Sequence, residues 1–378
     1  MMKKRHLFTP GPVDVPPEVL AAMAEPMIHH RSPDFTPHFK AACEGLKYVF
    51  QTENPVVMFA GSGTAAMEAS VANMLSPGDR AITVEGGKFG QRWTELCRAY
   101  GVEPIVLEIE WGKAVEPQRV SETLRANPNA KAVFLTLTET STGVLTDVEA
   151  ICRAIAQTEA ISVVDAVSAL AAERCLTDEW QIDVVVAGSQ KALMLPPGMA
   201  FCSVSPKAQA LVGDSQCPKY YLSIAKALKS LAKDDTPFTP AVSHIRAVGV
   251  ATQMIRDEGI ENAWARHARL GRAIRDAVGA MGLAMFSESP SNVVTAVRVP
   301  DGVDGDKIPK ILRDKHGVTI AGGQEHLKGK IFRIATLGWA NNLDVITVIG
   351  ALELTLAELG YSFEYGAGLA GALRSLAA

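Results

Sequence analysis

The sequence predicts an α/β protein: a mostly parallel, seven-stranded sheet wrapped by helices, followed by a smaller α+β domain. Apolar strands alternate with amphipathic helices over residues 56–204, the signature of a parallel sheet with helical crossovers. Several of these strands run into turns of small residues, where open parallel sheets gather their ligands. After Thr236-Pro237-Phe238-Thr239-Pro240 the texture changes to two long helical patterns and a few short strands.

Taken in order, residues 1–20 form an extended N-terminal arm, because Pro10, Pro12, Pro16 and Pro17 interrupt any regular element there. Strands follow over 56–59, 80–84, 103–107, 132–137, 161–165, 184–187 and 200–204. Helices are expected between them over 64–75, 90–100, 117–125 and 147–158. Residues 21–256 make the large domain and 257–378 the small one. The small domain has helices over 243–258 and 261–281 at its entry, with the long helix near residue 257 as the bridge. Strands are expected over 293–299, 318–321 and 331–334, and a last helix over 343–359. The small-residue segment Gly366-Ala367-Gly368-Leu369-Ala370-Gly371 carries no readable pattern.

Composition narrows the function. With 378 residues, 48% hydrophobic and 21% charged, the chain is built like a globular enzyme with a large core. A net charge of -4 supplies no polybasic face for nucleic acid or an anionic membrane. The basic start Lys3-Lys4-Arg5-His6 leads into prolines and not into an apolar signal core, so a cytoplasmic location is expected. The six cysteines form no CxxC pair and read as reduced, buried thiols. The eight histidines show no metal spacing, the adjacent His29-His30 included, so no metal is expected.

The chemistry concentrates at the strand ends. Val184-Val185-Val186-Ala187-Gly188-Ser189-Gln190-Lys191 delivers one lysine from an apolar strand through a small-residue turn. Held there, its amine is partly desolvated and fit to attack a carbonyl. Ile161-Ser162-Val163-Val164-Asp165 ends a second strand on a carboxylate. Each alone is a surface lysine or a helix-capping aspartate. As a pair they are the minimum set for pyridoxal phosphate, one for the aldehyde carbon and one for the ring nitrogen. Phe59-Ala60-Gly61-Ser62-Gly63-Thr64 joins a strand to a helix N-terminus and suits a phosphate, with neither a Walker lysine nor GxGxxG spacing. Phe89, in Gly86-Gly87-Lys88-Phe89-Gly90, is placed to stack on a planar ring or to pack into the core. Thr140, in Thr138-Glu139-Thr140-Ser141-Thr142-Gly143, is placed to reach a ring oxygen or to cap a turn.

Together with Thr9-Pro10-Gly11-Pro12, Thr239-Pro240 and Phe332-Arg333-Ile334, these motifs resemble the class V aminotransferases of pyridoxal phosphate fold type I. Within that family, the alanine–glyoxylate and serine–pyruvate aminotransferase branch is the nearest match. The resemblance runs from about residue 7 to 359. It implies Lys191 as the lysine that links to the cofactor and shuttles a proton, and Asp165 as the partner of the pyridine nitrogen. It implies that Ser62, Gly63, Thr64 and Gln190 hold the phosphate, that Phe89 stacks and that Thr140 contacts the ring oxygen. Thr239 would reach the phosphate of the partner subunit in an obligatory homodimer, and Arg333 would clamp the substrate carboxylate. The resemblance implies transfer of the amino group of alanine or serine to glyoxylate or pyruvate.

Two departures stand out. Phe89 occupies a position that is tryptophan in the animal alanine–glyoxylate enzymes. Met27-Ile28-His29-His30-Arg31-Ser32 replaces smaller, uncharged residues, which makes Arg31 a candidate reader of a distal acid group on an acidic or phosphonate-type donor. A lyase or desulfurase on the same fold would need a mobile cysteine, and none lies near Arg333 or in Gly322-Gly323-Gln324. A hydrogenase subunit would need cysteine-bound iron, which scattered cysteines do not supply.

Overall fold

A computed structural model describes residues 4–377. Met1–Lys3, where the expected arm begins, and Ala378, where the expected small domain ends, lie outside the described residues. The elements in chain order are β1 (His6–Leu7), α1 (Pro17–Ala24), α2 (Phe35–Phe50), β2 (Val56–Ala60), α3 (Gly63–Met74), β3 (Arg80–Glu85) and α4 (Lys88–Ala99). Then come β4 (Glu103–Glu108), α5 (Pro117–Ala126), β5 (Ala130–Thr136), the short strands β6 (Thr138–Glu139) and β7 (Val144–Leu145), α6 (Val148–Ile155), β8 (Ile161–Asp165), β9 (Val184–Gly188) and β10 (Met199–Val204). The C-terminal part holds α7 (Pro206–Val212), α8 (Ile224–Leu231), α9 (Val242–Glu258), α10 (Ile260–Ala280), β11 (Val294–Arg298), α11 (Lys307–Ile311), β12 (Val318–Thr319), β13 (Ala321–Gly322), β14 (Ile331–Ala335), α12 (Asn342–Glu358) and α13 (Ala367–Ala377).

The seven expected strands form one sheet in the order β2-β10-β9-β8-β5-β3-β4, parallel except for β10, which runs against both β2 and β9. Its central strands β8, β9 and β10 are buried throughout, as a sheet covered on both faces requires. Val163, Val184 and Val186 pack to one side, and Val164 and Val185 to the other. Burying such a side chain contributes about 1.5–3 kcal/mol. Because β8 and β9 are parallel neighbours, with Val163 beside Val184 and Asp165 beside Val186, their carboxyl ends emerge on the same edge. That register is what brings Asp165 and Lys191 together.

In the C-terminal part, β14 lies between β11 and β13 in an antiparallel sheet, covered by α10, α12 and α13 over a separate apolar cluster. Helices α9 and α10 meet at Gly259, two residues past position 257.

Several elements differ from the expectation. Helix α1 starts at Pro17, inside the stretch read as an extended arm, because proline is well tolerated in a first helical turn. Helix α2 was not foreseen. It carries a proline in its first turn, yet buries Phe35, Phe39, Leu46, Val49 and Phe50. The unreadable segment near 366–371 is the start of helix α13. Its glycines let it lie directly on α10, where a Cβ added at Gly371 would come within 2.9 Å of the Asp276 carbonyl oxygen. Among the described residues no helix is long and apolar enough to cross a membrane.

Candidate active site

Lys191 follows β9 by three residues in a turn that its own side chains tie down. Ser189 Oγ donates to the Pro196 carbonyl at 2.8 Å and accepts from Met199 N–H at 3.1 Å. Met194 closes the turn with φ 58°, a conformation that costs a non-glycine residue about 1 kcal/mol. The lysine is 8% exposed. Its Nζ donates to the carbonyl of Pro10. Gly11, at φ +91°, lets that segment pass close over the lysine, since a Cβ there would sit 2.5 Å from Lys191 Cδ. Burial pulls the amine down from 10.5 to about 8. Arg333 and Arg92 push the same way, and Asp165 opposes them. The neutral amine is therefore far more populated near neutral pH than at the ordinary value.

Asp165 is buried at the end of β8. Its Oδ1 accepts the Val167 N–H at 2.8 Å, which leaves Oδ2 for a ligand. Burial raises the carboxyl from 3.8 to about 6; Glu139 adds to this, while the Val167 hydrogen bond, Arg92 and Lys191 oppose it. Arg333, in the middle strand β14, is likewise buried. Its Nε donates to the Gly322 carbonyl at 3.0 Å and its Nη1 to the Thr140 carbonyl at 2.7 Å. Burial brings the guanidinium down to about 10, and Glu139 resists the change. Nε and Nη1 are thus anchored, and Nη2 makes no hydrogen bond among the described residues. Thr140 is buried, and its hydroxyl makes no hydrogen bond among the described residues.

The turn before α3 has the features of an anion site. Ser62 caps α3 in extended backbone with no side-chain hydrogen bond, and Gly63 begins the helix. Gly188 faces it, because a Cβ added there would lie 3.4 Å from the Gly63 nitrogen and 3.2 Å from Gln190 Oε1. Gln190 Oε1 is buried with no hydrogen-bond partner among the described residues; toward a phosphate it is the amide's Nε2 that could donate, since Oε1 only accepts. Pyridoxal phosphate fits these residues. A helix N-terminus and the NH2 of the Gln190 amide suit its phosphate, a buried carboxylate suits its ring nitrogen, and a desolvated amine suits its aldehyde carbon. Phe89, in the first turn of α4, is half-buried.

Two expected residues lie elsewhere. Thr239 is exposed in an open cleft of about 700 Å³, with Met27, His29, His30 and His244. Arg31 pairs with Asp235 at the surface. Within this chain neither is joined to Lys191. Two residues near Lys191 and Asp165 were missed. Arg92 lies 4.9 Å from the Phe89 ring centroid and donates to Thr64 Oγ1 at 3.3 Å. Glu139 is a buried carboxylate beside Thr140. The signal for Arg92 was its spacing, one helical turn from Phe89 at i+3. Glu139 had no local signal, since its partners are backbone N–H groups in α4.

A family model described as Aminotransferase class-V matches residues 5–336. A protein from Synechococcus sp. (strain PCC 6716), named soluble hydrogenase, small subunit, is 44% identical over 100% of this chain and 99% of its own length. A serine–glyoxylate aminotransferase of Methylorubrum extorquens is 36% identical over 98% of this chain and 95% of its own. The crystal structure of ureidoglycine-glyoxylate aminotransferase from Bacillus subtilis superposes with a TM-score of 0.94 at 30% identity, covering 100% of this chain and 99% of that one. The fold, the strand-end site and these matches agree: this chain belongs to the class V aminotransferases.

Proposed function

We propose that this aminotransferase uses pyridoxal phosphate to move the amino group of a small L-amino acid, alanine or serine, to glyoxylate or pyruvate. The observation that carries this reading is the buried Lys191 amine beside buried Asp165 at adjacent strand ends. Bound pyridoxal phosphate supplies an electron sink for negative charge developing at the donor α-carbon. Lys191 Nζ, desolvated and poised near neutrality, takes the α-proton and later returns one. Asp165 Oδ2 holds a proton at the ring nitrogen, and its burial strengthens that contact. Gly63 and Thr64 N–H groups and the Gln190 side chain hold the phosphate, with Ser62 at the turn. Phe89 supplies a stacking face and Thr140 a hydroxyl for the ring oxygen. Arg333, already oriented by two carbonyls, receives the substrate carboxylate through its free nitrogen.

Glyoxylate as acceptor is supported by the printed names of the Methylorubrum and Bacillus relatives. An uncharged donor side chain is supported by Arg31, whose charge is already met by Asp235. Thr239 completes the phosphate site of a second subunit in this reading, which accounts for its exposed position away from Lys191. A hydrogenase role, as the Synechococcus relative's name has it, calls for metal-bound thiolates. Burial pushes all six thiols up, and among the described residues no three His, Cys, Asp or Glu side chains gather as a ligand set. The test is a screen of alanine, serine and aspartate as donors against glyoxylate, pyruvate and 2-oxoglutarate. Alanine or serine with glyoxylate or pyruvate should give the highest kcat/KM, and a clear preference for aspartate would overturn the assignment.

A further inference from the structure

We propose that Glu139 is a positioning residue that sets the stacking face and the carboxylate clamp of this site from one buried anchor. It occupies the last position of β6 and is 4% exposed. Its Oε2 accepts the N–H groups of both Phe89 and Gly90 at 3.0 Å. Its Oε1 accepts Ser141 N–H at 3.1 Å and Ser141 Oγ–H at 2.5 Å. Ser141 Oγ in turn accepts Lys88 N–H at 3.0 Å. The first residues of α4 therefore have no side-chain cap of their own and hang on the Glu139–Ser141 unit. A carboxylate at a helix N-terminus is also favoured by the helix dipole. The fit is close: a Cβ added at Gly87 would lie 2.4 Å from Glu139 Cδ and 2.5 Å from Ser141 Oγ.

The same carboxylate reaches the other half of the site. Thr140, between Glu139 and Ser141, gives its carbonyl to Arg333 Nη1 at 2.7 Å. The charge of Glu139 also acts on the Arg333 guanidinium and on Asp165. Moving Glu139 moves the residue that stacks and the carbonyl that orients the arginine together. Replacing it with glutamine turns one acceptor into an NH2 group. Whichever way that amide faces, at least one buried backbone N–H loses its acceptor.

The inference rests on the pyridoxal phosphate reading, so the test separates the two. Wild type, Glu139→Gln, Glu139→Asp and Ser141→Ala are compared in three ways. These are cofactor affinity of the cofactor-free protein, visible circular dichroism of the bound cofactor, and kcat and KM for alanine and glyoxylate. Glu139→Gln is expected to weaken cofactor binding about 10- to 100-fold, to change the circular dichroism, and to raise both KM values. Ser141→Ala, which removes one donor to Glu139 and the acceptor of the Lys88 N–H, should do the same by only a few fold. If Glu139→Gln does not fold, Glu139→Asp carries the test, with a smaller change in the same direction. Wild type that takes up no cofactor on Lys191 would sink the pyridoxal phosphate reading. Wild type that takes it up, with Glu139 variants of unchanged dichroism and KM, would overturn this inference alone, even if those variants were less stable to heat.

Discussion

The strand-end site around Lys191 and the loop cleft around Thr239 and Arg31 are built on opposite principles. At the strand ends, β8, β9 and β14 deliver Asp165, Lys191 and Arg333 from fully buried strands. Desolvation then moves each group away from its ordinary protonation range. In the cleft, Thr239 and the 27–31 loop are held by turns. The charge of Arg31 is spent on Asp235, with both side chains more than one-third exposed. A rigid sheet edge holds the reacting groups together within one chain. The cleft supplies contacts that become part of a site only against a second copy, as proposed above.

This contrast predicts a steep order of effects. Lys191→Ala should abolish turnover, because no other residue supplies both the covalent link and the proton. Asp165→Ala should follow, with a loss of about three powers of ten in kcat while cofactor still binds. A near-normal rate in either variant, measured at saturating substrates, would show that the strand edge does not face the reaction. Arg333→Ala comes next. Losing a charge-assisted contact in a buried site should cost about 2–5 kcal/mol in kcat/KM, equally for every substrate. Arg333→Lys should recover little of it, because a point charge cannot reproduce the oriented fork.

The cleft variants should be mild and of a different kind. Thr239→Ala should loosen the cofactor by about tenfold, and in dilute protein cofactor and activity should disappear together as the dimer dissociates. A fully active monomer in sedimentation would break the contrast. Arg31→Ala, which removes an exposed ion pair, should change stability by less than about 1 kcal/mol and leave kcat/KM for alanine and serine nearly intact. A large uniform loss would place Arg31 in the site after all.

A further expected effect is on stability against pH in the cofactor-free protein. The folded Asp165 carboxyl, at about 6 against 3.8 ordinarily, keeps its proton longer than the unfolded chain does. Its contribution to stability is therefore lost as pH rises through that window. The folded Lys191 amine, at about 8 against 10.5, loses its proton before the unfolded chain does, so stability is regained as pH rises between those values. Asp165→Asn should flatten the lower slope and Lys191→Met the upper one in denaturant titrations. Unchanged slopes would contradict the burial of these groups.

Much of the first region could be read from the chain. Apolar runs with β-branched residues located all seven strands, and the residues that follow their carboxyl ends named Asp165, Lys191 and Thr140. The order of the strands was not readable, because hydrophobic periodicity records burial and not which neighbour a strand pairs with. β10, which runs antiparallel, has the same apolar run as its parallel neighbours. Helix α13 escaped because glycine and alanine give little amphipathic contrast, although close backbone approach is what they permit. Glu139 escaped because its partners are backbone N–H groups fifty residues upstream in α4, and no local pattern reports such a contact.

Lys191 is proposed above as the residue that binds pyridoxal phosphate covalently. Borohydride reduction of the holoenzyme, followed by peptide mass analysis, tests it directly. A reduced pyridoxyl group is expected on the peptide containing Lys191 and none in Lys191→Ala, whose visible absorbance should also be absent. Label on a different lysine, or an unlabelled protein that still transaminates, would contradict it.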